Sequence, residues 1–347
     1  MLVLPSIPPL FTTVQAQARA RQALLTKPTG SLGQLEDLSI QLAAITGQLR
    51  PSLANKAVIV MAGDHGVARE GVSAYPPEVT PQMVLNFLHG GAAINVLARH
   101  AEARVVVVDM GVAGDLPSMA GLINRKIARG TQNLAVLPAM TRAQAEYAVA
   151  TGIDVVNDEI AKGLDLVATG DMGIGNTTPS SAIVAAITQR PVSEVTGRGT
   201  GVDDAGLARK IATIEHALQL HDPNPQDALD VLSCVGGFEI AGLAGVIIGA
   251  AAKRVPVVID GFISGAAALI AATLVPDVKP YLIAAHQSVE IGHRAILNHL
   301  GLKPLLNLGL RLGEGTGAAL AFNLIEAAVL ILNEMATFAE AGVSNKE

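Results

Sequence analysis

A parallel α/β fold with helices on both faces of the sheet is predicted by three features of this chain. Short, continuous apolar runs recur at residues 57–61, 105–108, 164–168, 257–259, 281–284 and 304–308. Each ends in a loop rich in Gly, Asp or His, and a helix-like segment usually follows. Strands that are apolar throughout, rather than at alternate positions, are buried on both faces, as in a parallel sheet between two helical layers.

Taken in order, the first fifty residues predict helices over 12–25 and 32–46. They are joined by the loop Lys27-Pro28-Thr29-Gly30-Ser31-Leu32-Gly33, in which Ser31 and Gln34 fit a capping box. The first strand opens into Ala62-Gly63-Asp64-His65-Gly66 and the second into Asp109-Met110-Gly111-Val112-Ala113-Gly114. The third leads into Gly170-Asp171-Met172-Gly173-Ile174-Gly175-Asn176-Thr177-Thr178-Pro179 and a helix over 180–189. Next comes Gly197-Arg198-Gly199-Thr200-Gly201, with Asp203 or Asp204 suited to cap a helix that runs to Leu220. The last three strands open into Asp260-Gly261-Phe262-Ile263-Ser264-Gly265, Ala285-His286-Gln287-Ser288 and the segment 309–317. A long apolar helix over 316–337 and a polar tail, 344–347, complete the chain; the leftover apolar faces pair this helix with the first two. In parallel sheets ligands collect beyond the strand C-termini. All the Gly, Asp and His loops fall there, so one site built from several loops is expected.

Composition agrees and narrows the function. Of 347 residues, 50% are hydrophobic, 16% charged and 3% aromatic, with 35 Gly and no Trp, a small-residue makeup suited to closely packed helices. Mean hydropathy is +0.44, but the most apolar windows are short or interrupted by Asp260, Asn323 and Glu326, which favours buried helices over membrane spans. The net charge of -6, without a basic stretch carrying aromatics, argues against a nucleic-acid partner. The N-terminus lacks the basic segment of a signal peptide, and one cysteine, Cys234, provides no disulfide framework, so a cytoplasmic protein is expected with Cys234 in its core.

The glycine-dense turn at 170–178 carries the clearest chemistry. Glycines between a strand and a helix leave backbone N–H groups open at the positive end of a helix dipole, which is how proteins cradle phosphate. The spacing Gly170-x4-Gly175 is nearly a P-loop, but Asn176 stands where that motif needs lysine. A small phosphorylated metabolite is therefore a better ligand than a nucleoside triphosphate. Gly197–Gly201 offers further backbone donors, and Lys210 is either a cation for that anion or an exposed helix lysine. In Arg311-Leu312-Gly313-Glu314-Gly315-Thr316-Gly317, Glu314 is either a reactive carboxylate or a first-turn residue that complements the helix dipole. The glycine spacing there does not fit a dinucleotide fingerprint. Asp64 beside His65 suggests a metal or acid–base pair, and His65, His286 and His293 could converge in space. The three lack metal-ligand spacing along the chain.

Together, Lys27–Glu36, Ala62–Val67, Gly170–Thr178, Gly197–Gly201 and Leu310–Gly317 form an ordered set of motifs. Through them the chain resembles the nicotinate-nucleotide–dimethylbenzimidazole phosphoribosyltransferases of cobalamin biosynthesis over nearly its full length. The resemblance implies a Rossmann-like parallel sheet (51–317) with a small helical domain from both termini (1–50 and 318–347), a homodimer, and no cofactor. It implies transfer of phosphoribose from nicotinate mononucleotide to 5,6-dimethylbenzimidazole, with Glu314 as the base. It places Gly173, Gly175, Asn176 and Thr177 at the phosphate, with Gly201 and Lys210 near the nucleotide. Tyr75, Gln82, Met83 and Leu312 are placed at the benzimidazole. Asp171 departs from the more usual Glu, and Thr29 and Gln34 from the usual Pro and Arg. A non-catalytic nucleotide-binding protein, or a transferase for another base, is the alternative.

Overall fold

The computed structural model describes residues 2–344; Met1 and tail residues 345–347, part of the predicted segments, lie outside the described residues. Six strands form one sheet: β1 (Lys56–Gly63), β2 (Ala103–Gly111), β3 (Leu122–Asn124), β4 (Leu166–Met172), β5 (Val257–Ile259) and β6 (Leu282–Ala284). Their order is β3-β2-β1-β4-β5-β6 and every pairing is parallel. This order reverses between β1 and β4, the switch point at which doubly wound sheets bind ligands. β1 is buried along its length, and its side chains alternate between two apolar layers. Ala57, Ile59 and Met61 join helices Arg142–Ile160 and Phe238–Ala252 on one face, while Val58, Val60 and Ala62 join Gln34–Thr46 and Thr316–Glu334 on the other.

Helices from both chain ends pack together. Ala18, Ile40, Ala43 and Leu332 form an apolar cluster between helices Thr12–Leu24, Gln34–Thr46 and Thr316–Glu334. Arg21 donates from Nε to the Leu332 carbonyl at 2.6 Å and from Nη2 to Met335 at 3.2 Å, satisfying carbonyls at the end of the last of these helices. Thr316–Glu334 has the length and composition to cross a membrane, and here ten of its residues are buried within the protein. Cys234 is buried, and burial pushes its thiol up to about 11, as an unreactive core residue requires.

Several elements differ from their sequence-based bounds. β4 begins at Leu166 and extends to Met172, so the first three residues of the phosphate motif are strand residues, not loop. Gly170 is needed there because a Cβ would lie 2.4 Å from the Glu314 carbonyl oxygen. Ser31 does not cap the second helix. Instead Glu36 accepts the Gly30 and Leu32 N–H groups at 3.2 and 3.1 Å, and Lys27 pairs with it at 2.7 Å. Residues 304–308 make only one bridge, His286 to Leu306, rather than a strand. The last long helix stops at Glu334, and Thr337 caps a separate short turn, Phe338–Ala341. Edge strand β3 has no apolar run to announce it.

Candidate functional site

The loops after β1, β4, β5 and β6, together with the segment ahead of Thr316–Glu334, enclose a cavity of about 600 Å³, well within the range of small-ligand sites. Of the residues expected at a site, Tyr75, Met83, Asp171, Gly173, Asn176, Thr177, Leu312 and Glu314 line it. Gly175, Gly201, Lys210 and Gln82 do not, and Gln82 is exposed. Tyr75 and Leu312 are more than half exposed, at 56% and 58%, and so form the mouth rather than the floor.

At one end stands the turn after β4. The Ile174 N–H is taken by Thr80 Oγ1 at 3.0 Å and that of Asn176 by the Gly173 carbonyl at 3.1 Å. Two of the cradle amides are therefore already committed, and the capacity for an anion shifts toward Thr177. Lys210 explains how. It is 0% exposed, settling the choice against a surface lysine, and its Nζ donates to Thr177 Oγ1 at 2.7 Å and to the Gly197 carbonyl at 3.2 Å. A hydroxyl that accepts from an ammonium turns its own proton outward, as a donor to a ligand. Burial lowers Lys210 to about 8, with Glu290 opposing. The lysine charge is therefore present below pH 8 and lost as pH rises through it. Affinity for a phosphate monoester should fall between pH 7 and 9, and Lys210→Met should flatten that dependence in titration calorimetry.

The neighbouring loop is held from distant parts of the chain. Glu290 Oε1 accepts the Gly199 N–H at 2.9 Å, and Arg311 donates to the Gly199 carbonyl at 2.8 Å. Thr200 Oγ1 accepts the Ala74 N–H at 3.0 Å, tying this loop to the segment carrying Tyr75. Glu290, Ser288, Thr200, Arg311, Phe262 and Ile263 all line the cavity. Ser288 belongs to the expected loop after β6, whereas Glu290 has no sequence signal beyond standing two residues later, just ahead of a helix. Asp203 caps the Lys210 helix by accepting the Gly206 N–H at 2.7 Å.

At the floor, Glu314 is 5% exposed. It lies in a left-handed tripeptide, with φ of 82°, 62° and 88° for Gly313, Glu314 and Gly315. Its Oε2 accepts the Ile94 N–H at 3.3 Å from the first turn of helix Ala93–His100. Burial raises its carboxyl above the ordinary value, and the Ile94 amide pulls it partly back. Asp260, at the end of β5, accepts the Gly315 and Ala318 N–H groups at 3.3 and 2.9 Å, so it anchors the helix that presents Glu314. Burial pushes Asp260 up to about 7. Asp171 accepts from Asn176 Nδ2 at 3.1 Å, yet burial, then Asp260 and Glu239, hold it well above the carboxylate range.

The three histidines part company. His65 meets Glu239 at 2.7 Å, while the rings of His286 and His293 lie 6.1 Å apart. Among the described residues no group of three or more His, Cys, Asp or Glu is placed to hold a metal ion.

Comparison with known proteins accords with this geometry. A phosphoribosyltransferase family model matches residues 7–343. A nicotinate-nucleotide–dimethylbenzimidazole phosphoribosyltransferase from Roseiflexus sp. (strain RS-1) is 69% identical over 340 residues, covering 98% of this chain and 96% of the relative. One from Geobacter sulfurreducens is 58% identical over 341 residues, covering 98% and 97%. The crystal structure of CobT from Thermus thermophilus superposes with a TM-score of 0.92 at 50% identity, covering 96% of this chain and 100% of that one.

Proposed function

We infer the work of this cavity from one premise: the chain belongs to the nicotinate-nucleotide–dimethylbenzimidazole phosphoribosyltransferase family. It transfers phosphoribose from nicotinate mononucleotide to 5,6-dimethylbenzimidazole, releasing nicotinate and α-ribazole 5′-phosphate for the lower ligand of cobalamin. One observation carries the assignment of roles: a buried carboxylate with raised proton affinity, Glu314, sits between two glycines and faces a cavity whose other end offers Thr177 and the cradle turn.

The chemistry asks little of an acid catalyst. The nicotinate ring is cationic at nitrogen, so the bond to C1′ breaks with its electron pair returning to the ring, and no proton is needed. One benzimidazole nitrogen forms the new bond to C1′ from the opposite face, which inverts β to α. The acceptor ring becomes cationic and its remaining N–H acidic. Glu314 takes that proton, and its raised affinity for protons suits the task. The phosphate lies at Gly173, Asn176 and Thr177, with Lys210 supplying charge through the Thr177 hydroxyl. Asp171, whose carboxyl burial raises, borders the ribose. Met83, Tyr75 and Leu312 cover the flat acceptor ring, with Gln82 at the outer edge. Holding two rings on opposite faces of one carbon is chiefly a matter of orientation, which can contribute several kcal/mol, up to ~7 or more. The same reading makes the protein a cytoplasmic homodimer, its small helical domain formed by 1–50 with 318–347; the terminal helices share an apolar cluster, and two of them also cover one face of the sheet.

Incubation with both substrates and analysis by liquid chromatography and mass spectrometry tests the reaction. Nicotinate and α-ribazole 5′-phosphate are expected in equal amounts. Nicotinate without ribazole, or bound nucleotide without turnover, would overturn the assignment. Sedimentation equilibrium tests the dimer, a monomer sinking it.

A further inference from the structure

Behind the donor end of the cavity lies a charge pair that the chemistry above does not use. His65, just after β1, and Glu239, in the first turn of helix Phe238–Ala252, meet at 2.7 Å through Nε2 and Oε1, both side chains almost wholly buried. Glycines from three elements close on them. A Cβ on Gly173 would stand 2.3 Å from the Gly63 carbonyl oxygen and 3.2 Å from His65 Nε2. One on Gly237 would stand 2.5 Å from His65 Cε1, and one on Gly63 2.9 Å from Glu239 Oε2. The pair is wedged directly against the residue that opens the phosphate turn.

Its surroundings do not account for it as a stabilising element. Helix Phe238–Ala252 is otherwise buried among aliphatic side chains. An ion pair in such a place is a weak source of stability, often matched or bettered by apolar residues of similar volume. The pair also leaves polar capacity unused: His65 Nδ1, Glu239 Oε2, Asp64 Oδ1 and Asp171 Oδ1 are buried with no hydrogen-bond partner among the described residues. Those four atoms come from the β1 loop, the helix start and β4, and the last belongs to a residue that lines the cavity.

We propose that His65 and Glu239 are positioning residues for the donor half of the reaction, fixing the contact between the Gly63 and Gly173 backbones on which the phosphate turn rests. The Glu239 charge also reaches Asp171. Burial alone would lower His65, but Glu239 and Asp64 outweigh it and hold the imidazole above its ordinary value. Glu239, after burial and Asp260, is among the causes that raise the Asp171 carboxyl, and the His65 ring lies against that same Glu239 carboxylate. Geometry and charge both lead from the pair to the nucleotide and not to the acceptor base. The inference rests on the phosphoribosyl-transfer reading.

Two variants test it. Glu239→Gln keeps the shape and a hydrogen bond to His65 but removes the charge. The double substitution His65→Leu with Glu239→Met replaces the pair by apolar volume, and it decides the matter if the single variant does not fold. Thermal unfolding and the separate KM values for the two substrates are measured beside the wild type, whose own turnover checks the underlying reaction independently. The expected result is folded protein in which KM for nicotinate mononucleotide rises roughly tenfold, the scale of one lost charge-assisted hydrogen bond, while KM for 5,6-dimethylbenzimidazole stays near that of the wild type. A folded double variant with wild-type KM for the donor would make the pair merely structural. Equal rises in both KM values would mean a general deformation of the cavity, and would equally overturn the proposal.

Discussion

Glu314→Gln is expected to lower kcat by about 10²- to 10⁴-fold, the usual contribution of a positioned base, while nicotinate mononucleotide still binds. Glutamine keeps the shape and can still accept the Ile94 N–H, so the α-helix start beside it is undisturbed. Only the basic oxygen is lost. Because the transferred proton leaves the acceptor ring, electron-poor benzimidazoles, whose N–H is more acidic in the cationic product, should suffer less from the substitution. The pH profile carries a second signature. Burial raises the Glu314 carboxyl, so the ionised base is depleted, and kcat falls, at a higher pH than a solvent-exposed glutamate would give. Steady-state kinetics with titration calorimetry separates these effects; a kcat within about threefold of wild type, far below the contribution expected of a base, would remove Glu314 from the proton transfer.

The largest effect on stability is expected far from the cavity, at Gly152→Ala. Helices Arg142–Ile160 and Phe238–Ala252 cross in backbone contact: a Cβ on Gly152 would stand 1.8 Å from the Gly242 carbonyl oxygen, and one on Gly245 2.0 Å from that of Val149. Backbone cannot rotate away as a side chain can. The substitution should cost about 3 kcal/mol, at the upper end of ordinary overpacking, and lower Tm by about 5 °C or more. Unchanged thermal unfolding would show that the helices separate freely. The displaced helix begins at Phe238 and carries Glu239 in its first turn, so donor binding should weaken along with stability.

The sequence exposes what depends on neighbours along the chain and conceals what depends on neighbours in space. β1, β2 and β4 are legible because each side chain meets a helical layer, leaving an unbroken apolar run. β3 is not, because three residues at a sheet edge need no such run. Residues 304–308 mislead for the converse reason: they are apolar but lie beyond β6 with a single bridge. The phosphate turn is legible because strand, glycines and helix start are consecutive. Its counter-charge is only half so, since Lys210 can be read either as buried or as exposed until Thr177 is seen beside it. Glu290 clamps Gly199 across 91 residues and Glu239 meets His65 across 174, distances over which spacing says nothing. Asp171, counted as a loop residue from its glycines, is a strand residue, because β4 extends to meet Met61 and Ala62.

The left-handed turn that carries Glu314 has a consequence for the engineering of the protein. A side chain in that backbone region carries a penalty of about 1–3 kcal/mol, which the two flanking glycines escape. Glycine at position 314 would relax the turn but would also leave the buried Ile94 N–H without its acceptor, a cost of about 1–3 kcal/mol that offsets the gain. Alanine would keep the strain and lose the bond, so among truncations at this position glycine should be the better tolerated in thermal unfolding, and both should be inert. The strained backbone is thus part of what the base costs the fold.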